Sequence, residues 1–120
     1  MAKILMVDDE EAVLRSLAAL LATDGHQVTS EMNGNRAIEI LKSEQFDLLL
    51  TDLRMYPLDG MELMKFVRSE YPSMPVVVIS AYGADNTVEK AKDLGCVAYV
   101  KKPFRIQEVL NAVKNAVADK

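Results

Sequence analysis

Residues 4–11 read Ile-Leu-Met-Val-Asp-Asp-Glu-Glu, four apolar side chains followed at once by four carboxylates. A short, continuous apolar run rich in branched side chains is typical of a strand buried on both faces, as in a parallel sheet. The abrupt change to acidic residues marks the end of that strand. The apolar run is also too short for a signal peptide or a membrane span, so we expect neither at this point.

Four further segments are predicted to be strands, and apolar residues at three- and four-residue spacing predict helices between them. The later strands are residues 27–31, which are polar enough for an edge strand, 46–50, 76–79 and 97–100. The helical stripes cover residues 13–21, 37–41, 63–67, 88–94 and 106–117. The turn Asn33-Gly34-Asn35 precedes the second helix, and stops are predicted at Asp24-Gly25, before Tyr71-Pro72 and at Gly95.

This alternation of five strands and five helices forms repeated βαβ units, which predict a parallel sheet with helices on both faces. The chain is therefore predicted to be a single doubly wound α/β domain over residues 1–120. Half of the residues are apolar and 27% are charged, which is ordinary globular usage and excludes a disordered or repeat protein.

Charge and cysteine content narrow the functional class. The net charge of −4 lacks the excess of Lys and Arg that nucleic-acid binding requires, so we expect no direct contact with DNA or RNA. The single cysteine, Cys96, can form neither an intramolecular disulfide nor a cysteine-rich zinc site. The lone cysteine favours a protein of the reducing cytoplasm. No membrane partner is expected.

The ends of the predicted strands carry complementary polar groups. Ligands of open α/β sheets bind beyond the carboxyl ends of the strands. Three carboxylates, one hydroxyl and one or two ammonium groups are therefore expected at one rim. They belong to Asp8 and Asp9 after the first strand, Asp52 after the third, Ser80 after the fourth, and Lys101 and Lys102 after the fifth.

Each of these residues also has an ordinary structural explanation. Asp8 or Asp9 could cap the first helix, with Glu10 and Glu11 favourable in its first turn. Asp52 could be a turn residue, Ser80 alone carries little information, and Lys102 could be a solvated lysine. Taken together these explanations weaken, because four strands would all have to end in complementary chemistry at one edge.

Three neighbouring carboxylates repel one another unless they take up protons or share a cation. With only oxygen ligands available, the cation is predicted to be hard, Mg²⁺ with Mn²⁺ as an alternative. One carboxylate then remains free to act as a nucleophile, and carboxylates do form aspartyl phosphates. A lysine and a hydroxyl donor suit the charge neutralisation that phosphoryl transfer requires.

This pattern resembles the receiver domain of bacterial two-component response regulators over the full chain. The resemblance rests on Asp8-Asp9, Asp52, Ser80 and Lys102-Pro103-Phe104. The segments 49–55 and Asp59-Gly60 are similar to the phosphoacceptor loop of that family. The resemblance implies a flavodoxin-like (βα)5 fold with a five-stranded parallel sheet of order 2-1-3-4-5.

The resemblance also implies a role for each site residue. Asp52 would accept a phosphoryl group, and Lys102, rather than Lys101, would contact the phosphoryl oxygens. The metal would be bound by Asp52 itself, by Asp9 directly, by Asp8 largely through water, and by the backbone carbonyl of Arg54.

Ser80 and Tyr99 would be the switch pair that reshapes the face of helix four, strand five and helix five. From its position alone, Tyr99 would be a half-buried strand aromatic. The resemblance further implies a cis Lys102-Pro103 bond. One departure is Tyr56, which stands where the family commonly has proline; Pro57 follows, which allows the loop an altered path.

The expected partners follow from the same resemblance. His26 is the only histidine, so the phosphoryl group is expected from a separate sensor histidine kinase or phosphotransfer protein. The signal would pass to an effector domain or a downstream protein. A stand-alone receiver and a part of a longer regulator both fit this sequence. Arg54 and Tyr82 would lie beside the site and could tune hydrolysis or partner access.

Two other classes of protein are alternatives. A phosphohydrolase that works through an aspartyl phosphate would place Asp-x-Asp after the first strand and add a cap domain, and neither is seen. A flavodoxin-like cofactor binder would need a Ser-, Thr- or Gly-rich phosphate loop there, because backbone donors bind anions. The acidic residues 8–11 would instead repel a flavin phosphate.

Overall fold

The computed structural model describes residues 2–53, 60–81 and 85–118, and for Asp85 and Asn86 the backbone alone. Five strands alternate with five helices along this part of the chain. The strands are β1 (Lys3–Val7), β2 (Gln27–Glu31), β3 (Leu48–Thr51), β4 (Val76–Ser80) and β5 (Cys96–Lys101). The helices are α1 (Glu11–Thr23), α2 (Gly34–Ser43), α3 (Gly60–Glu70), α4 (Asp85–Asp93) and α5 (Ile106–Ala116).

All strand pairs are parallel, and the strand order is β2-β1-β3-β4-β5. The predicted doubly wound α/β fold and its order are therefore confirmed. The three central strands β1, β3 and β4 are buried almost throughout, whereas β2 at one edge is partly exposed. This difference matches the apolar runs of the central strands and the polar sequence of β2.

The core lies on both faces of the sheet, because successive strand side chains point in opposite directions. Leu5 and Val7 of β1 pack with the buried side chains of α2, α3 and α4. Ile4 and Met6 pack on the other face with those of α1 and α5. Each fully buried Leu or Ile contributes about 1.5–3 kcal/mol, so the two layers hold the strand ends in a fixed relation.

Several predicted boundaries differ from the structure by one to three residues. β3 begins at Leu48 rather than Phe46, since its pairing with β1 starts where Ile4 meets Leu48. α2 begins at Gly34, inside the predicted turn, because the Asn33 side chain caps the backbone N–H groups of Asn35 and Arg36. α5 ends at Ala116, one residue before the end of its predicted stripe. The other predicted stops agree with the structure.

Gly60 lies against the backbone that follows β3. Its N–H donates to the Leu53 carbonyl at 2.9 Å. A Cβ atom at Gly60 would lie 2.1 Å from the Asp52 carbonyl oxygen and 2.6 Å from the Leu53 Cα. Backbone atoms cannot give way as a flexible side chain can, so only glycine allows α3 to begin this close to Asp52.

We therefore expect Gly60→Ala to lower the free energy of unfolding by about 3 kcal/mol, because overpacking against backbone forces the α3 start away from β3. Gly25→Ala is the matched control: Gly25 has a φ of +92° but open space around its Cβ position. That change should cost only about 1 kcal/mol, the strain of a left-handed residue. Urea unfolding measures both, and equal costs would contradict the close approach.

Among the helices of the described residues, none is long and apolar enough to cross a membrane.

Candidate functional site

The loops beyond β1, β3 and β5 meet at the carboxyl edge of the sheet. Backbone pairing continues one residue past each strand and fixes these loops in place. Asp8 N–H donates to the Glu31 carbonyl at 3.2 Å, and Asp52 N–H donates to the Val7 carbonyl at 3.0 Å. Lys102 N–H donates to the Ser80 carbonyl at 2.9 Å. The sheet thus places Asp8, Asp52 and Lys102 beside one another, as the strand-end pattern predicted.

The Lys102 ammonium group is the centre of this arrangement. Its Nζ lies 2.8 Å from Asp52 Oδ2, 2.9 Å from Asp8 Oδ2 and 2.8 Å from Glu10 Oε1. The side chains of Asp8, Asp52 and Lys102 are nearly buried, whereas that of Glu10 is 58% exposed. One ammonium therefore faces three carboxylates, and negative charge is left in excess.

Burial by itself would lower the pKa of Lys102, but its hydrogen bonds to Asp52, Glu10 and Asp8 outweigh that effect. The pKa of Lys102 is consequently raised well above its ordinary value, and this side chain stays protonated at neutral pH. The cation is a fixed element of the site.

The pKa of Asp8 is shifted in the direction opposite to that of a carboxylate in a stabilising ion pair. Burial is the largest influence and raises the pKa of Asp8, and the nearby charge of Asp52 acts in the same direction. The Glu10 backbone N–H, which donates to Asp8 Oδ1 at 2.9 Å, and Lys102 oppose this rise without cancelling it. The fold therefore disfavours the charged form of Asp8 relative to the unfolded chain.

A raised carboxyl pKa means that stability from this group is present at low pH and lost as the pH rises through the folded pKa. At pH 7 the charge of Asp8 thus weakens the metal-free fold. We expect Asp8→Asn to raise the free energy of unfolding by more than about 0.5 kcal/mol, the range of ordinary surface substitutions. Urea unfolding in EDTA measures this change.

Asp9→Asn is the control, because Asp9 lies in the same loop with an exposed side chain. It should change the free energy of unfolding less than Asp8→Asn does. A metal-free protein that is destabilised by Asp8→Asn would contradict the assigned pKa direction.

Four carboxylates can offer oxygen ligands to one cation. One oxygen each from Asp8, Asp9, Glu10 and Asp52 lie within 4.8 Å of one another. This set includes the three predicted carboxylate ligands and adds Glu10. Hard oxygen donors with excess negative charge fit Mg²⁺, which usually keeps several waters and takes few carboxylates. The donor set therefore fits the expected metal.

The predicted switch pair is also adjacent. Ser80 ends β4 fully buried, and Tyr99 lies half-buried on the neighbouring strand β5, where it pairs with Val78. Burial raises the pKa of the Tyr99 phenol, while a hydrogen bond with the Ser80 side chain acts to lower it. The two side chains that the resemblance singled out thus contact each other directly.

Glu10 is the site residue that sequence reasoning missed. It was interpreted only as a favourable charge near the start of α1, but it occupies the N-cap position without a side-chain cap and bonds Lys102 instead. Asp8 and Asp9 do not cap the helix either, so that alternative was wrong. The sequence feature that could have identified Glu10 was its position directly after the acidic pair Asp8-Asp9, in the same loop.

Of the remaining expectations, one agrees with the structure and three concern residues outside the described part of the chain. The Lys102-Pro103 peptide bond is cis, as the resemblance implied. The Arg54 carbonyl, the Tyr56-Pro57 departure and Tyr82 lie outside the described residues.

The family model described as "Response regulator receiver domain" matches residues 4–114, nearly the whole chain. This chain belongs to that family. It is accordingly a receiver domain of the two-component type, a signalling switch rather than a classical enzyme. The phosphohydrolase and flavodoxin-like alternatives are not supported.

Curated relatives include the sporulation initiation phosphotransferase F of Bacillus subtilis, 33% identical over 112 residues. That match covers 93% of this chain and 90% of the relative. The response regulator protein FleR of Pseudomonas aeruginosa is also 33% identical over 112 residues, or 93% of this chain, but only 24% of its own length is matched. The chain thus spans most of one relative and about a quarter of the other.

Solved structures give the same result. A response regulator receiver domain protein from Clostridium thermocellum superposes with a TM-score of 0.92 at 28% identity, covering 99% of this chain and 96% of that one. The receiver domain of Francisella response regulator 1452 gives a TM-score of 0.90 at 27% identity, covering 99% and 98%. The receiver fold therefore extends over essentially the full chain.

Proposed function

We propose that Asp52 of this receiver domain accepts a phosphoryl group and that residues 1–120 act as one domain switched by it. The observation that carries the proposal is the Lys102 ammonium, which joins Asp52 and Asp8 across the loops after β5, β3 and β1 at 2.8 and 2.9 Å. A buried carboxylate beside a permanent cation suits a nucleophile for an anionic substrate.

In the proposed reaction, an Asp52 carboxylate oxygen attacks the phosphorus of a phosphohistidine or a small acyl phosphate. A new P–O bond forms and the bond to the leaving group breaks, so that histidine or acetate departs with the bonding electron pair. Lys102 lies where it can donate hydrogen bonds to the phosphoryl oxygens as their charge shifts. Phosphoryl transfer depends mainly on such positioning and charge stabilisation.

The acidic residues Asp8, Asp9 and Asp52 would hold Mg²⁺, or Mn²⁺ as an alternative, and the Arg54 carbonyl is proposed as a further ligand. When bound, the ion would supply positive charge against the phosphoryl oxygens and the carboxylates. Magnesium binding and phosphorylation are general properties of the family.

The phosphoryl group would become a signal through Ser80 and Tyr99. New charged hydrogen bonds contribute about 1.5–3 kcal/mol each, so two of them supply roughly 3–6 kcal/mol. Inverting a 1:99 equilibrium takes about 5.5 kcal/mol, which lies within that range. A shift of Ser80 would end its present hydrogen bond with Tyr99 and alter the face formed by α4, β5 and α5.

The proposed donor is a sensor histidine kinase or phosphotransfer protein, and the proposed receiver of the signal is an effector domain or a downstream protein. Relatives such as FleR, in which the matched region is 24% of the whole, support an effector that is linked to the receiver in some members. We place the exchange in the cytoplasm, where the free Cys96 thiol would stay reduced.

The test is intact mass spectrometry after incubation with acetyl phosphate and Mg²⁺. The mass is expected to rise by one phosphoryl group and to return after treatment with hydroxylamine, which cleaves acyl phosphates. Omitting Mg²⁺ should greatly slow the rise. A mass that never changes, at any time point or donor concentration, would refute the phosphoacceptor function.

A further inference from the structure

We propose that Glu10 is a positioning residue: it holds the Lys102 ammonium in the unmodified protein and must release it before a phosphoryl donor can be bound productively. The inference deepens the proposed function and rests on it. It begins from the contact between Glu10 Oε1 and Lys102 Nζ at 2.8 Å, which the predicted site did not include.

Lys102 can donate only a limited number of hydrogen bonds. A lysine ammonium carries three donor hydrogens and no acceptor. Lys102 already faces three carboxylate oxygens, from Asp8, Glu10 and Asp52, at 2.8–2.9 Å. Its donors are therefore fully used. An incoming phosphoryl oxygen must displace one of the three while Asp52 is still an unmodified carboxylate.

Glu10 is the partner that leaves most readily. Asp52 is the proposed nucleophile and has to stay in the pocket. The Asp8 side chain is only 4% exposed, and its other oxygen is fixed by the Glu10 backbone N–H. The Glu10 side chain is 58% exposed, so water replaces its bond to Lys102 at little cost. Of the three contacts, this is the one whose carboxylate is already largely in water.

The Glu10 carboxylate also lies where an anionic phosphoryl donor would approach Lys102. Its negative charge repels the donor, and its bond occupies the cation that should receive the phosphoryl oxygens. Both effects slow phosphorylation, and both depend on the contact with Lys102 rather than on the net charge of the protein. Glu10 would therefore set how easily the receiver is phosphorylated.

Glu10→Gln removes the charge and keeps the side-chain length. We expect phosphorylation by acetyl phosphate to become about three- to tenfold faster, corresponding to the loss of one partly exposed ion pair. Rates should be compared over a series of Mg²⁺ concentrations up to saturation, so that a change in metal affinity is separated from a change in the transfer step.

The matched control is Glu11→Gln, the same change of charge one residue further along. Glu11 pairs with Arg15 on the surface of α1 and has no described contact with Lys102. Its variant should label within about twofold of the wild type, because surface pairs contribute little. Equal acceleration by both variants would show a general charge effect and would overturn the inference.

A second measurement needs neither metal nor phosphorylation. The ¹⁵N and ¹H signals of the Lys102 ammonium group should shift in metal-free Glu10→Gln and stay in place in Glu11→Gln. An unchanged Lys102 signal in both variants, or equal labelling rates in wild type and Glu10→Gln, would overturn the inference alone. Failure of the wild type to label would instead overturn the proposed function.

Discussion

Asp52→Asn is expected to leave the protein folded and to reduce labelling by acetyl phosphate to background. The amide has nearly the same shape as the carboxylate and still offers an oxygen to Lys102, which lies 2.8 Å from Asp52 Oδ2. It lacks the anionic oxygen that attacks phosphorus, and its nitrogen is a poor nucleophile because the lone pair is delocalised into the carbonyl. The variant therefore removes the nucleophile and little else.

The measurement is intact mass over a time course, together with a thermal melt that shows the variant to be folded. Asp47→Asn serves as the control, because Asp47 directly precedes β3, at its opposite end from Asp52. An asparagine oxygen can still accept the bond that Asp47 receives from the Lys3 N–H at 2.8 Å. Full labelling of Asp52→Asn would assign the phosphoacceptor to another residue.

Much of this site was predictable because parallel strands bring their carboxyl ends to one edge. The apolar runs set the strands, and the residues just after them, such as Asp8, Asp52 and Lys102, then had to meet. The alternating burial of β1 in two core layers shows why that inference works: register and direction are fixed by packing, not by the polar residues themselves.

The contacts that sequence reasoning missed depend on geometry between separate loops. Glu10 could extend into solvent, pair along α1 or turn toward Lys102, and the residue order alone does not distinguish these orientations. Gly60 belonged to the resemblance through Asp59-Gly60, but glycine is required there because a Cβ atom would lie 2.1 Å from the Asp52 carbonyl oxygen, which no local pattern reveals. Both facts come from tertiary packing rather than from periodicity.

Lys102→Met is expected to have two effects: a loss of phosphorylation rate that Mg²⁺ does not restore, and a loss of stability that Mg²⁺ does restore. Phosphorylation by acetyl phosphate should slow by on the order of 10²-fold, the usual result of removing one donor that stabilises developing charge. Without metal, the free energy of unfolding should fall by about 3 kcal/mol, because Asp8 and Asp52 lose the counter-ion that they share in a nearly buried site.

Mg²⁺ should recover most of the lost stability and little of the lost rate. A bound cation neutralises the same carboxylates, but it cannot replace a hydrogen-bond donor aimed at Asp52 from the loop after β5. Lys101→Met is the control, since Lys101 is exposed and ends β5 one residue earlier. If Lys101→Met slowed labelling as much as Lys102→Met, the loss would follow from net charge near the rim. The assigned role of Lys102 requires that Lys102→Met lose stability that Mg²⁺ restores and labelling rate that Mg²⁺ does not restore. Lys101→Met should show neither loss.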